Sequence, residues 1–356
     1  MKVLLVGEFS GVHNNLKVGL EALGVQVTLA NTGDGFKQFS SDILMHIDSD
    51  TSKARIENAF LEYYNLFKMQ QYDVVQIMHP NAFSFYNHSQ VFKLLDKAKV
   101  VVQLIGGCDY VFAKKFKFLN SELCRMCKQY DQKKHSCPYE TANEIKYERE
   151  IYKRADVLVP MAWEYYRIYK EYATEYNTKL HTVIPMPIDT RKNRVLNKQH
   201  EKIQVFHPIN REGFKGTKIF RPIFTQLQEE YGKIAEFKIA GRMPIEQYRK
   251  YLASVDIVVD QLYSCTYGMN ALYAMAMGKV VMSGNSNTEM FRDIEWLQDM
   301  PVLSLGYTGQ EIKMNISNVI KDHNLRDLKE RSRKYVEIYH DAKSVAKVFL
   351  DLYRQC

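Results

Sequence analysis

The stretch "TYGMNALYAMAMGKVVMSGNSNTE", Thr266–Glu289, decides how the chain is read. Gly268 permits a sharp turn, and Asn270 is a residue type that starts helices well. Apolar residues then fill a short helix, expected over Asn270–Met277, until Gly278 stops it. "KVVMSG" follows as a buried strand, and a polar loop follows that. The free N–H groups near Met269–Leu272, with the positive end of the helix dipole, would suit an anion. No acidic residue precedes Glu289 in the stretch. On these residues alone, a plain α/β turn without a ligand is the simpler alternative.

The rest of the chain repeats this strand–loop–helix grammar. "KVLLVGEFSG" reads as a strand entering a glycine loop, and "NNLKVGLEALG" as an amphipathic helix closed by Gly24. "VQVTLAN", "YDVVQIMHP", "KVVVQLIGGCD", "ADVLVPM" and "HTVIPMPID" read as strands, with helices at 54–67, "SQVFKLLDKA", 147–153 and 163–172 between them. "TRKNRVLNKQHEK" is polar and strand-free. A second series follows with the strands "IQVFHPI", "AEFKIAG", "VDIVVDQL" and "VLSL", and three helical segments end the chain. Alternating strands and helices make parallel, doubly wound α/β sheets. The expected division is a first domain at 1–189 with a Cys-bearing insertion near 108–137, a linker at 190–201, a second domain at 202–337, and a terminal segment at 338–356 that crosses back to the first. Two such domains in tandem would face a cleft, with ligands at the carboxyl ends of the strands.

Of the 356 residues 46% are hydrophobic, enough for two cores, and the net charge is +8. That balance favours anionic partners: nucleotides, nucleic acid or an anionic membrane surface. The compact basic spots are "AKKFKF", "DQKKH" and "TRKNR". No basic helix or aromatic strand motif accompanies the charge, so no nucleic acid is expected. "MKVLLVGEFSG" has too short an apolar core for a signal peptide, and no apolar run approaches the ~20 residues of a membrane span. The expectation is a cytoplasmic protein, working on the inner face of the membrane if it meets lipid, and the sequons at Asn87 and Asn315 then carry no weight.

"CTYGMNALYAMAMGKVV" resembles the donor-binding signature of retaining GT-B-fold glycosyltransferases of the "glycosyl transferases group 1" (family 4-like) superfamily. Gly268, the "AMAMG" at Ala274–Gly278 and the following strand match it. The two signature glutamates are replaced by Cys265 and Tyr273. "NREGFKGT" resembles the family's Arg/Lys pair, which neutralises the donor diphosphate; Arg211 and Lys215 match. Glu289 stands where the family has an acid after the next strand. The resemblance implies a donor site using Arg211, Lys215, Gly241, Thr266, Tyr267, Gly268, Met269, Asn270 and Tyr273, with the Tyr273 phenol replacing a carboxylate toward the ribose.

The first domain matches only in layout. Gly7, Gly11 and His13 in its first loop, and Asp109 after "LIGGC", are the acceptor-side candidates; Asp109 would equally cap a turn. His79 ends a strand and, with Glu289, is the catalytic candidate; a histidine satisfied by local hydrogen bonds is the alternative. Cys108, Cys124, Cys127 and Cys137 fall within 30 residues, and Cys124–Cys127 has the Cys-x2-Cys spacing of a zinc half-site. A structural zinc, free thiols and redox use are all open readings. The resemblance implies that transfer needs no metal.

The expectation is therefore a retaining transferase that moves a sugar from a UDP- or GDP-sugar to a glycan or lipid-linked glycan, in bacterial surface-polysaccharide or glycoconjugate assembly, peripherally associated with an anionic membrane. Loss of both signature glutamates keeps a catalytically silent accessory subunit as one rival. A nucleotide-sugar epimerase of the same fold is the other.

Overall fold

The computed structural model describes residues 1–45, 52–69, 71–83, 87–119, 137–195, 200–284, 289–322 and 324–356. The chain divides into two compact units. The first contains Met1–Lys115, Cys137–Asp189 and Ala342–Cys356, and the second Thr190–Asp341 together with the described residues 116–119.

The first unit is built on β1 (Lys2–Val6), β2 (Gln26–Asn31), β3 (Ile43–Leu44), β4 (Val74–Ile77), β5 (Val100–Ile105) and β6 (Val157–Pro160). They form one sheet in the order β3-β2-β1-β4-β5-β6, with every pairing parallel. β4, β5 and β6 are buried along their whole length, which explains their near-continuous apolar sequence. "HTVIPMPID" is not a strand. Leu180 makes a single bridge to Leu158, and Pro185 and Pro187 beyond it have no N–H to give a ladder.

The second unit has β7 (Ile203–Ile209), β8 (Ala235–Gly241), β9 (Ile257–Val259), β10 (Val280–Ser283) and β11 (Leu303–Ser304), ordered β11-β10-β9-β7-β8 and again all parallel. Its core gathers Val205, Ile257, Val259 and Val280 from the sheet with Phe220, Phe224 and Ile316 from flanking helices. In both sheets the strand order reverses once, between β1 and β4 and between β7 and β9. Loops leave in opposite directions at such a point and open the crevice where doubly wound sheets hold ligands.

The terminal helix, Ala342–Gln355, belongs to the first unit and packs on the helix Val12–Glu21. Gly19 allows that contact. A Cβ there would lie 2.0 Å from the Ala342 carbonyl oxygen and 2.7 Å from the Ala346 Cβ. In an exposed helix, replacing glycine by alanine stabilises by about 1 kcal/mol. Here Gly19→Ala should destabilise by about 1–3 kcal/mol, because backbone must move. Chemical denaturation measures the sign; a stabilised variant would mean that the two helices do not touch at Gly19.

Candidate functional site

At the reversal point of the first sheet, polar groups are largely spent on one another. The His13 Nδ1 lies 2.8 Å from the Gly7 carbonyl, to which it donates. Its Nε2, 3.1 Å from Gln76 Nε2, therefore accepts. The Gln76 Oε1 in turn accepts from the Tyr353 hydroxyl at 2.7 Å. His13 is thus a buried strut joining the first loop, β4 and the terminal helix, not an acceptor-side group. Burial holds its pKa down to about 4.

His79 likewise has no ring nitrogen to spare. Its Nδ1 accepts from the Asn81 N–H at 3.1 Å, and its Nε2 donates to the Cys108 carbonyl at 2.8 Å. Burial lowers its pKa to about 4, so the ring is neutral, with both nitrogens engaged by local partners. Asp109 is a cap. One oxygen accepts from the Phe112 N–H at 2.7 Å and the other from the hydroxyls of Tyr152 and Tyr169, both at 3.0 Å. Fully buried, it has no oxygen turned to an acceptor hydroxyl. Gly7 and Gly11 both have positive φ, and a Cβ on Gly7 would lie 2.9 Å from that of Ala82. Cys108 and Cys137 form no disulfide among the described residues, and Cys124 and Cys127 lie outside them. No metal-binding group of three or more side chains occurs among the described residues.

Glu8 and Glu148 are among the buried carboxyls that escaped the sequence reading. Glu8 accepts from the N–H groups of Gly11 and Asn14, at 2.8 and 2.9 Å, and from the Asn14 amide at 2.7 Å. Glu148 accepts from the Tyr110 N–H at 2.7 Å, while its other oxygen has no partner. As the only acid in a glycine loop, Glu8 was findable; Glu148, inside "YEREIYKR", gives no signal.

In the second unit, Lys215 and Asp260 form an ion pair across the reversal point between β7 and β9, with both side chains buried. Gln261 Oε1 lies 3.4 Å from the same ammonium. The expected role of Lys215 needs correcting on this point, because its charge is already neutralised inside the protein. Arg211 is the exposed cation. Its guanidinium stacks on Phe214, 4.5 Å from the ring centre, and no carboxylate pairs with it among the described residues. The helix following the signature loop spans Met269–Ala276, with no capping side chain at Gly268 and no acid in its first turn.

Two signature aromatics face inward. The Tyr267 hydroxyl lies 2.7 Å from that of Tyr335 and 2.8 Å from His340 Nε2, so it anchors the loop. Tyr273 is 1% exposed, with the Arg249 guanidinium 5.3 Å from its ring centre, and does not present its phenol to a ribose. Thr266 is buried and its carbonyl accepts from Gln261 Nε2 at 3.3 Å. Gly241 is required by packing, since a Cβ would lie 1.9 Å from the Ile209 carbonyl oxygen. Asn270 is half-buried at the helix start, and Glu289 opens the helix Glu289–Asp293, also half-buried. The buried His207 went unnoticed in its strand. It donates from Nδ1 to the Val259 carbonyl at 2.7 Å and accepts from the Thr217 hydroxyl at 2.8 Å.

The buried acids and histidines pull stability in opposite directions with pH. Desolvation pushes Glu148 up to about 9, helped by the nearby charge of Asp109, and Glu8 up to about 7. A carboxyl that holds its proton more tightly when folded contributes most at low pH and loses that contribution as pH rises toward the folded value. His13 and His79, held down to about 4, contribute stability present above 6.5 and lost as pH falls toward 4. Wild-type protein should therefore lose melting temperature between neutrality and pH 9. Glu148→Gln keeps an acceptor for Tyr110 and should flatten that loss. Superimposable pH profiles for the two proteins would mean that Glu148 ionises normally.

No family model matches the chain, and no curated protein sequence does. Solved structures match it over its whole length. Sucrose-phosphate synthase from Thermosynechococcus elongatus superposes with a TM-score of 0.68 at 13% identity, covering 100% of this chain and 98% of that one. Anabaena HepE in complex with UDP and glucose gives 0.65 at 11% identity and full coverage of both chains. WaaG, a glycosyltransferase involved in lipopolysaccharide biosynthesis, gives 0.58 at 13% identity, with 99% of each chain covered. A UDP-GlcNAc 2-epimerase from Methanocaldococcus jannaschii shares the architecture at a lower score, 0.53 with 11% identity over 99% of both chains. At these identities the likeness establishes architecture: two Rossmann-like parallel sheets in tandem, the GT-B fold.

Proposed function

We propose that this protein is a glycosyltransferase that moves a sugar from a nucleoside-diphosphate sugar to a hydroxyl acceptor. The observation that carries the reading is the second unit's reversal point. An exposed Arg211, without a carboxylate partner among the described residues, and an uncapped, acid-free helix start at Gly268–Met269 lie on loops at the carboxyl edge of one sheet. Both features suit a diphosphate. The fold likeness to HepE, solved with UDP and glucose, supports UDP as the nucleotide. Negative charge grows on the diphosphate as the sugar leaves, and fixed donors stabilise it without reorganising.

The finer parts of the reading are retention of anomeric configuration, transfer without a metal, and a glycan or lipid-linked glycan acceptor at an anionic membrane surface, as in surface-polysaccharide or glycoconjugate assembly. The fold likeness to WaaG supports the setting. Glu289 is the acid proposed to meet the donor sugar. The epimerase likeness makes interconversion of UDP-sugars the second reading.

Calorimetry with UDP and GDP tests the donor site. Arg211→Ala removes charge-assisted bonds worth about 1.5–3 kcal/mol and should weaken UDP binding ten- to a hundredfold without lowering the melting temperature. Unchanged affinity would remove Arg211 from the site. Lys215→Met should act differently: it leaves Asp260 buried without its counter-charge and should destabilise by about 3–5 kcal/mol. UDP release that depends on added glycan supports transfer. A new UDP-sugar without UDP release would establish the epimerase, and binding without turnover the silent subunit.

A further inference from the structure

The helix Ser52–Lys68 of the first unit is built inside out. Its buried positions step by four: Ala54, Asn58, Glu62 and Leu66, so two of the four inward side chains are polar. Asn87 satisfies part of this inner face, donating to the Ala59 carbonyl at 3.0 Å and to Glu62 Oε1 at 3.1 Å. The outward positions carry the large apolar residues. Ile56 is 61% exposed, Phe60 72%, Tyr63 49%, Tyr64 54% and Phe67 69%. At about 100° per residue these five occupy an arc of about 100°, one continuous stripe. It presents on the order of 500 Å² of mostly apolar surface, at the upper end of what a monomer leaves uncovered.

Lysines border the stripe. Lys53 and Lys68 are exposed near its two ends, and the Lys68 ammonium lies 4.2 Å from the Tyr64 ring centre. Lys2, Phe67 and Lys68 line one shallow cavity beside it. Glu57 is the exposed acid next to the stripe, and Lys53 lies 3.7 Å from it. Aromatic rings with lysines that carry their charge to the edge suit the boundary between acyl chains and headgroups. The chain's net charge of +8 repels a second copy and attracts an anionic surface. No helix among the described residues is long and apolar enough to cross a membrane, so this contact would lie in the interface plane.

We infer that this helix face is the surface by which the protein docks on an anionic lipid bilayer. The inference rests on the membrane part of the function proposed above and not on sugar transfer, because its test uses neither donor nor acceptor. The measurement is co-sedimentation with phosphatidylcholine–phosphatidylglycerol vesicles, against vesicles of phosphatidylcholine alone. Wild-type protein should bind the anionic vesicles, more weakly in high salt, and the neutral ones poorly. Phe60→Ser with Phe67→Ser should weaken binding at least about tenfold, and Phe60→Leu with Phe67→Leu should restore most of it. Both sites are exposed, so circular dichroism and melting should match wild type. Equal binding by the serine variant, equal binding to neutral vesicles, or no binding by wild type would each overturn the inference; the last would also remove the membrane setting while leaving transfer standing. A wild-type dimer that the serine pair splits would assign the stripe to a second copy instead.

Discussion

The buried ion pair between Lys215 and Asp260 is the constraint around which the carboxyl edge of the second unit's sheet is organised. A charge taken out of water is tolerated only beside its opposite, so neither residue can turn away without stranding the other. The pair joins the loop after β7 to the loop after β9, where the strand order reverses and no ladder hydrogen bonds can do so. The Leu262 N–H, donating to the Lys215 carbonyl at 3.2 Å, adds a backbone tie at the same place. Gly216, with positive φ, admits the Leu262 side chain where a Cβ would lie 2.7 Å from it. With both loops pinned, Arg211 and the start of the Met269–Ala276 helix are held by rigid elements.

This arrangement gives the missing signature acids a physical context. The first turn of the helix is acid-free, and Tyr273, at the second glutamate position, is packed under Arg249 and away from solvent. Among the described residues this edge offers the Arg211 guanidinium and the N–H groups at the start of the Met269–Ala276 helix as donors. Donors of this kind suit phosphate oxygens, whereas a sugar hydroxyl proton needs an acceptor.

The sheets were legible because a parallel strand buried on both faces must read as a short apolar run, as "VVVQLI" and "KVLLV" do. "HTVIPMPID" was misread because its apolar content hides two prolines that cannot donate. The candidate site was less legible than the fold. His79 and Asp109 follow strand ends as expected, and His13, expected in the first loop, lies in the helix Val12–Glu21, yet whether a polar side chain is free depends on distant partners. His13 is completed by Gln76 and, through it, Tyr353, and Asp109 by Tyr152 and Tyr169. Nothing within a few residues of any of them announces this. Glu148 and His207 were invisible for the same reason.

The placement of the terminal helix has a consequence for synthesis. The last residue of the second unit is Asp341, whereas the first is closed only by Ala342–Gln355 packing against the helix that Gly19 lets approach. A chain emerging from the ribosome can complete its later unit while its earlier one still lacks a wall. The usual N-terminal-first order is reversed. Until Gln355 is out, the apolar flank of the Val12–Glu21 helix and the open end of the Gln76–His13 strut stay uncovered, a surface that a chaperone could hold during that interval.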